Sequence, residues 1–189
     1  HNDVICGFLA VKDADSDLAR EIELLVKSEG PNLSPMDSWL MLRSLKTLGV
    51  RVERQAESAL TIAEWLRTLP EVTEVYYAGL PDHPQYALQE SQSTGFGGMI
   101  SFKVKSAEIA QNALAHLKLI AFAESLGGVE SLLTYPIVQT HAEMPSDLIA
   151  RTGLDDRLLR LSVGLEDVDD LKEDLEQALS KASTEVQST

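Results

Sequence analysis

An arginine inside an apolar run is the first residue of this 189-residue chain that calls for a chemical explanation. Arg160 stands within Leu158-Leu159-Arg160-Leu161-Ser162-Val163-Gly164, a stretch otherwise suited to a buried strand. A cation there is expensive to bury unless something pairs with it. It is either a strand-edge arginine turned to water or a bidentate anchor for a carboxylate, a task that suits the planar guanidinium. The second candidate is Ala123-Glu124-Ser125-Leu126-Gly127-Gly128-Val129-Glu130-Ser131. Two glycines after a strand, flanked by serine and glutamate, make a sharp turn that brings backbone close to something. As a bare pattern, a plain turn is the simpler reading.

Other constellations carry less. Thr94-Gly95-Phe96-Gly97-Gly98 has the glycines of a phosphate cradle, but a strand follows it rather than a helix N-terminus. His1, His83, His116 and His141 have no metal-ligand spacing on one helix and no cysteine cluster beside them. No metal site is expected. A Ser-His-Asp triad has no nucleophile elbow to support it. The single cysteine, Cys6, lies inside Val4-Ile5-Cys6-Gly7-Phe8-Leu9 and reads as a small buried hydrophobe. It cannot form an intramolecular disulfide, so nothing points to an oxidising compartment, and a cytoplasmic location is expected.

A net charge of -14 argues against non-specific binding to nucleic acid and against docking on anionic membrane. No stretch approaches the roughly 18 apolar residues of a membrane span. Hydrophobic and charged shares of 44% and 24% are those of a globular protein with a real core. The chain opens without methionine directly before an apolar run, which suggests a preceding segment.

The elements that must position these residues follow from periodicity. Residues 4–11 read as a strand covered on both faces. Ser16 or Asp17 caps a helix carrying Leu18, Ile22, Leu25 and Val26, which stops at Gly30-Pro31. Ser34-Pro35 opens a second helix, and a long one runs through Val52, Ala59, Ala63 and Leu66 to just before Pro70. Strands are predicted at 72–77, 99–104, 119–122 and 158–163, with a helix over 106–116. A closing helix over about 167–181 buries Val168, Leu171, Leu175 and Leu179. The order implies a mixed α/β unit with a boundary between Leu45 and Arg54.

Taken together, several segments resemble the C-terminal half of the Cys/Met-metabolism family of pyridoxal-phosphate enzymes, which includes cystathionine γ-synthase, cystathionine β- and γ-lyases and methionine γ-lyase. They are His1-Asn2-Asp3-Val4, Leu42-Arg43-Ser44-Leu45-Lys46-Thr47-Leu48 and Tyr77-Ala78-Gly79-Leu80-Pro81-Asp82-His83-Pro84. Gly95-Phe96-Gly97-Gly98-Met99, Ala123 to Leu132, and Arg160-Leu161-Ser162-Val163-Gly164-Leu165-Glu166-Asp167 complete the set. They occur in the family's order over nearly the whole chain; Ser44 departs from the usual glycine.

The resemblance implies a fold-type-I α/β architecture of the PLP-dependent transferase kind. Residues 1–46 would be the tail of the large cofactor domain and 47–189 the small C-terminal α/β domain. It implies pyridoxal 5'-phosphate as cofactor and a homotetramer built as a dimer of dimers. The Schiff-base lysine would precede His1, in an N-terminal half, so no catalytic residue is expected here and the chain alone is expected to be inactive. By resemblance, Arg160 holds the substrate α-carboxylate, and Ser125 and Leu126 border the lysine and substrate. Glu124 faces the distal end of a long substrate, where it could attract the second ammonium of cystathionine. Thr140 stands behind the groups that touch substrate. The implied activity is trans-sulfuration on a small sulfur amino acid, as a carbon–sulfur lyase cleaving cystathionine. The alternatives are a γ-synthase-type replacement enzyme and a non-catalytic fragment.

Overall fold

The computed structural model describes residues 1–139 and 144–188. The chain forms two compact units, His1–Gly49 and Val50–Thr189. In the first, helix α1 (Asp17–Glu29) starts at Ser16, whose Oγ accepts the Ala19 N–H at 3.2 Å. It ends on Gly30 in the left-handed conformation (φ 69°), whose N–H reaches the Val26 carbonyl. Helix α2 (Pro35–Leu45) is capped by Ser34, with proline in its first turn. Neither helix buries a residue, so caps and local propensity define them rather than burial.

The strand expected over residues 4–11 is absent, and Cys6 is exposed rather than buried. Ile5 is 100% and Phe8 75% exposed. The apolar pattern reports a taste for burial, but a strand also needs a neighbour for its N–H and C=O groups. All the strands among the described residues lie between Val72 and Ser162, and none pairs with this segment.

Helix α3 (Leu48–Leu66) buries Gln55, Ser58, Ala59, Ile62, Ala63 and Leu66, a stripe at helical spacing. Strands β1 (Val72–Tyr76), β2 (Met99–Val104), β3 (Ala121–Phe122), β4 (Leu132–Thr134) and β5 (Leu158–Ser162) form one sheet in the order β1-β2-β5-β4-β3. Its pairs are antiparallel except β3 with β4, which run parallel. Helix α4 (Tyr86–Gln92) precedes β2, α5 (Ala107–His116) follows it, and α6 (Ser146–Thr152) and α7 (Val168–Gln187) flank β5. The core joins Ile100, Phe102, Val104, Leu133, Leu159 and Leu161 of the sheet to Ile62 and Leu66 of α3, Ile109 of α5, and Leu171, Leu175 and Leu179 of α7. Among the described residues no helix is long and apolar enough to cross a membrane.

Strand β3 is shorter than the 119–122 that its composition predicts. The buried carboxylate of Asp174 on α7 accepts the N–H groups of Lys118, Leu119 and Ile120 at 2.8–2.9 Å. Those amides are therefore withdrawn from any ladder, and pairing begins at Ala121. Elements α4, β4 and α6 are additions to the sequence reading.

Candidate functional site

Side chains alternate across a strand, so burying Leu159 and Leu161 turns Arg160 to the sheet's other face. Register then sets its neighbours. Arg160 lies opposite Ser101 on one side and Thr134 on the other, and Ser101 lies opposite Tyr76. The sheet thus presents a cross-strand row of hydroxyls with one guanidinium among them.

That guanidinium is only partly satisfied. Its Nη2 donates to the Glu124 carbonyl oxygen at 2.8 Å and to Thr134 Oγ1 at 3.2 Å. Its Nε is buried with no hydrogen-bond partner. Among the described residues no carboxylate forms an ion pair with it. An unmade bond at a buried donor costs about 1–3 kcal/mol. The arrangement therefore favours an incoming anion, best a carboxylate with two oxygens for a planar fork.

Arg160 lines a cavity of about 550 Å³ together with Tyr76, Ser101, Lys103, Pro136 and Leu158, among others. Lys103 is a different kind of cation. Its Nζ lies 3.0 Å from Asp155 Oδ2, which also accepts from Arg157 at 2.8 Å, and 5.9 Å from the centre of the Tyr76 ring. Burial is the largest single influence and pushes the Lys103 pKa down, but the hydrogen bond and charge of Asp155, with the charges of Tyr76 and Glu74, together outweigh it and the net shift is upward. Burial likewise pushes Asp155 up, and the bonds to Arg157 and Lys103 bring it below the ordinary carboxylate range. Lys103 is thus a neutralised ammonium, whereas Arg160 has charge to spare.

The loop between β3 and β4 is the second part of the site. Thr134 Oγ1 donates to the Ala123 carbonyl at 2.7 Å, and Arg160 holds the next carbonyl, that of Glu124. Gly127 adopts φ 74°, and its N–H donates to Ser162 Oγ at 2.8 Å. Gln55 Nε2 donates to the Gly128 carbonyl at 2.6 Å. Farther on, Leu165 N–H donates to Val129 O, and Glu166 accepts both the N–H and the Oγ–H of Ser131. Gly164 fits tightly beneath, since a Cβ there would collide with Val129 O and the Glu166 carboxylate. Between these anchors stand Ser125 and Leu126, both exposed, with Leu126 at 52%.

Arg160 and the loop bearing Glu124, Ser125 and Leu126 therefore come together, with Arg160 touching the Glu124 main chain rather than its side chain. Thr140 and His141 lie outside the described residues. The 94–98 glycines serve packing: Tyr77 Oη donates to the Gly97 carbonyl at 2.9 Å, and Phe96 stacks on Tyr86 with ring centres 5.0 Å apart. His116 faces Glu185 at 2.9 Å, and His83 Nδ1 accepts the Gln85 N–H. Sequence reasoning missed Thr134, Ser162 and Gln55, whose parts depend on strand register and on contacts distant in sequence.

Known proteins match this arrangement over nearly all of its length. The sequence model described as "Cys/Met metabolism PLP-dependent enzyme" matches residues 1–180. Cystathionine beta-lyase MetC of Bacillus subtilis is 45% identical over 181 residues, 96% of this chain and 46% of that protein. Cystathionine gamma-lyase of the same organism is 44% identical, over 95% of this chain and 47% of its own length. The crystal structure of cystathionine gamma synthase from Xanthomonas oryzae pv. oryzae in complex with cystathionine superposes with a TM-score of 0.84 at 40% identity, covering 90% of this chain and 44% of that one. Cystathionine gamma-lyase from Lactobacillus plantarum, complexed with L-serine, gives 0.82 at 39% identity, covering 88% and 44%. The chain spans about half the length of the curated relatives it matches.

Proposed function

The chain belongs to the Cys/Met-metabolism family of pyridoxal-phosphate-dependent enzymes, and from that premise we propose that the whole protein is a carbon–sulfur lyase of trans-sulfuration that cleaves cystathionine. The fold-type-I architecture and the cofactor come with the family. The observation that carries the reading for this chain is Arg160, a guanidinium without a carboxylate partner among the described residues, lining a cavity large enough for an amino acid.

Residues 1–46 are assigned to the end of the large domain and 47–189 to the small one. Arg160 holds the α-carboxylate of the substrate, with Nη2 steadied by the Glu124 carbonyl and Thr134 so that the fork keeps one orientation. Fixing the carboxylate fixes the rotation about the substrate Cα, and so which of its bonds is labilised. Ser125 and Leu126 border the reacting end, and the Glu124 carboxylate attracts the distal ammonium of cystathionine.

Pyridoxal phosphate, when bound, supplies an electron sink for the carbanion at Cα. The described residues fit the amino-acid end of that chemistry and not the attachment of the cofactor. Lys103 lines the cavity, but Asp155 holds it as an ammonium, whereas imine formation needs a neutral amine. The attachment lysine is assigned to the part of the relatives' length that this chain does not span, so the chain alone is inactive. A cytoplasmic homotetramer, a dimer of dimers, completes the proposal.

The test is incubation of the complete, cofactor-loaded protein with cystathionine. Pyruvate marks cleavage at the β carbon and 2-oxobutyrate cleavage at the γ carbon, while release of neither refutes the lyase. A γ-replacement activity is the second reading, favoured by the fold match to the synthase. It would appear as replacement of the γ substituent of an amino acid by a thiol, with release of that substituent.

A further inference from the structure

The loop that carries Ser125 and Leu126 has no regular structure of its own, so something outside it must fix its shape. On its upstream side that is Arg160 itself, through the Glu124 carbonyl. On its downstream side the fixing atoms belong to Ser162 and to Gln55, the latter 73 residues away on α3. Gln55 is 5% exposed, and a polar side chain so buried on a helix needs a reason. Its surroundings leave the side chain little freedom. Gly98 backs onto it so closely that an added Cβ would lie 3.1 Å from Gln55 Cβ and 3.2 Å from the Val163 carbonyl. Val163 N–H in turn donates to the Gly98 carbonyl at 2.9 Å, which ties the ends of β2 and β5 to the same point.

We infer that Gln55 is a positioning residue for the substrate site: by donating to the Gly128 carbonyl it sets where the Ser125–Leu126 backbone stands and, through the Glu124 carbonyl, how Arg160 is aimed. The inference rests on the proposed role of Arg160 and the loop, and it extends the site to α3, a helix distant from the loop in sequence. Without the Gln55 donor, the Gly128 carbonyl must seek another partner and the segment from Glu124 to Gly128 acquires slack. Arg160 then loses the fixed acceptor that orients Nη2. Substrate binding suffers more than the chemical step, because the carboxylate fork is disordered while the reacting groups remain.

The experiment compares the complete, cofactor-loaded protein with Gln55→Met, which keeps length and removes the donor, and with Gln55→His, which restores one. Two readouts are taken: steady-state kinetics on cystathionine and amide hydrogen exchange over residues 123–131. Gln55→Met is expected to raise KM roughly five- to 150-fold with kcat little changed, the range of one unsatisfied buried carbonyl. It is also expected to speed exchange across the loop, and Gln55→His should move both readouts back. Unchanged loop exchange in Gln55→Met, or faster exchange with unaltered KM, overturns the inference. If Gln55→Met does not fold, wild-type exchange decides instead: the Gly127 N–H is held by Ser162 Oγ, a clamped loop opens rarely, and exchange of that amide within seconds would overturn the idea. A wild-type protein that does not cleave cystathionine refutes the proposed activity alone, and the exchange comparison then judges Gln55 by itself.

Discussion

Replacing Arg160 with methionine should separate the recognition of the carboxylate from every other part of the substrate. The guanidinium has one nitrogen committed to neutral acceptors and one buried nitrogen with no partner, so most of its charge is available to a ligand. Truncating one partner of a buried, hydrogen-bonded charge pair costs about 2–5 kcal/mol. At about 1.4 kcal/mol per tenfold, that is roughly a thirty- to several-thousandfold loss of affinity. The stability of the protein should change by less than about 1 kcal/mol, because two hydrogen bonds to neutral acceptors are lost while an unsatisfied donor is removed. The assay is calorimetric titration of the complete protein with an unreactive amino-acid substrate analogue and, in parallel, with the same molecule lacking its carboxylate. Wild type should strongly prefer the acid, and Arg160→Met should bind the two almost equally. If the preference for the acid survives the substitution, Arg160 is not the carboxylate anchor and the reasoning from its unpaired Nε is wrong.

Other perturbations test the scaffold. Asp174→Ala leaves the Lys118, Leu119 and Ile120 amides without their acceptor, and should lower stability by roughly 3 kcal/mol or more in chemical denaturation. Gly164→Ala forces a methyl against Val129 and Glu166 and should cost about 3 kcal/mol, whereas Gly95→Ala, with nothing near its Cβ, should be close to neutral in the same assay. Burial pushes the Tyr77 phenol up to about 12, from an ordinary value of 10.0. Its raised folded-state pKa stabilises the fold below the unfolded pKa, and that contribution is lost as pH rises from about 10 to about 12. Tyr77→Phe should therefore flatten the alkaline decline seen in pH-dependent unfolding, while losing about 1 kcal/mol at neutral pH through the missing bond to Gly97.

The elements that announced themselves in the sequence did so through local chemistry. Ser16 and Gly30 bracket α1 because a cap and a left-handed stop act within one turn. Helix α7 shows through its apolar stripe, and β2 and β5 through apolar residues at alternate positions, Ile100, Phe102 and Val104 in one and Leu159 and Leu161 in the other. Local pattern failed where the deciding partner lies elsewhere. Residues 4–11 have the composition of a strand but no strand beside them, and Leu119 and Ile120 lose their place in β3 to a carboxylate on α7. Strand β4, three residues long, is too short to show any period. Arg160 was legible because a cation is conspicuous among leucines. Thr134 and Gln55 were not, because threonine and glutamine are unremarkable until register and folding bring them to the loop.

The parallel pairing of β3 with β4 has a consequence for how such a site can change over time. A connection between parallel strands is usually an entire helix, but here the chain returns through residues 123–131 alone. Side chains at positions 55, 134, 160, 162 and 166 hold that connection in shape, and none of them belongs to it. Ser125 and Leu126, the pair at its exposed crest, consequently have little part in maintaining the fold. Mutations there can be sampled at small risk to folding, so the crest is free to vary in sequence while the frame beneath it stays the same.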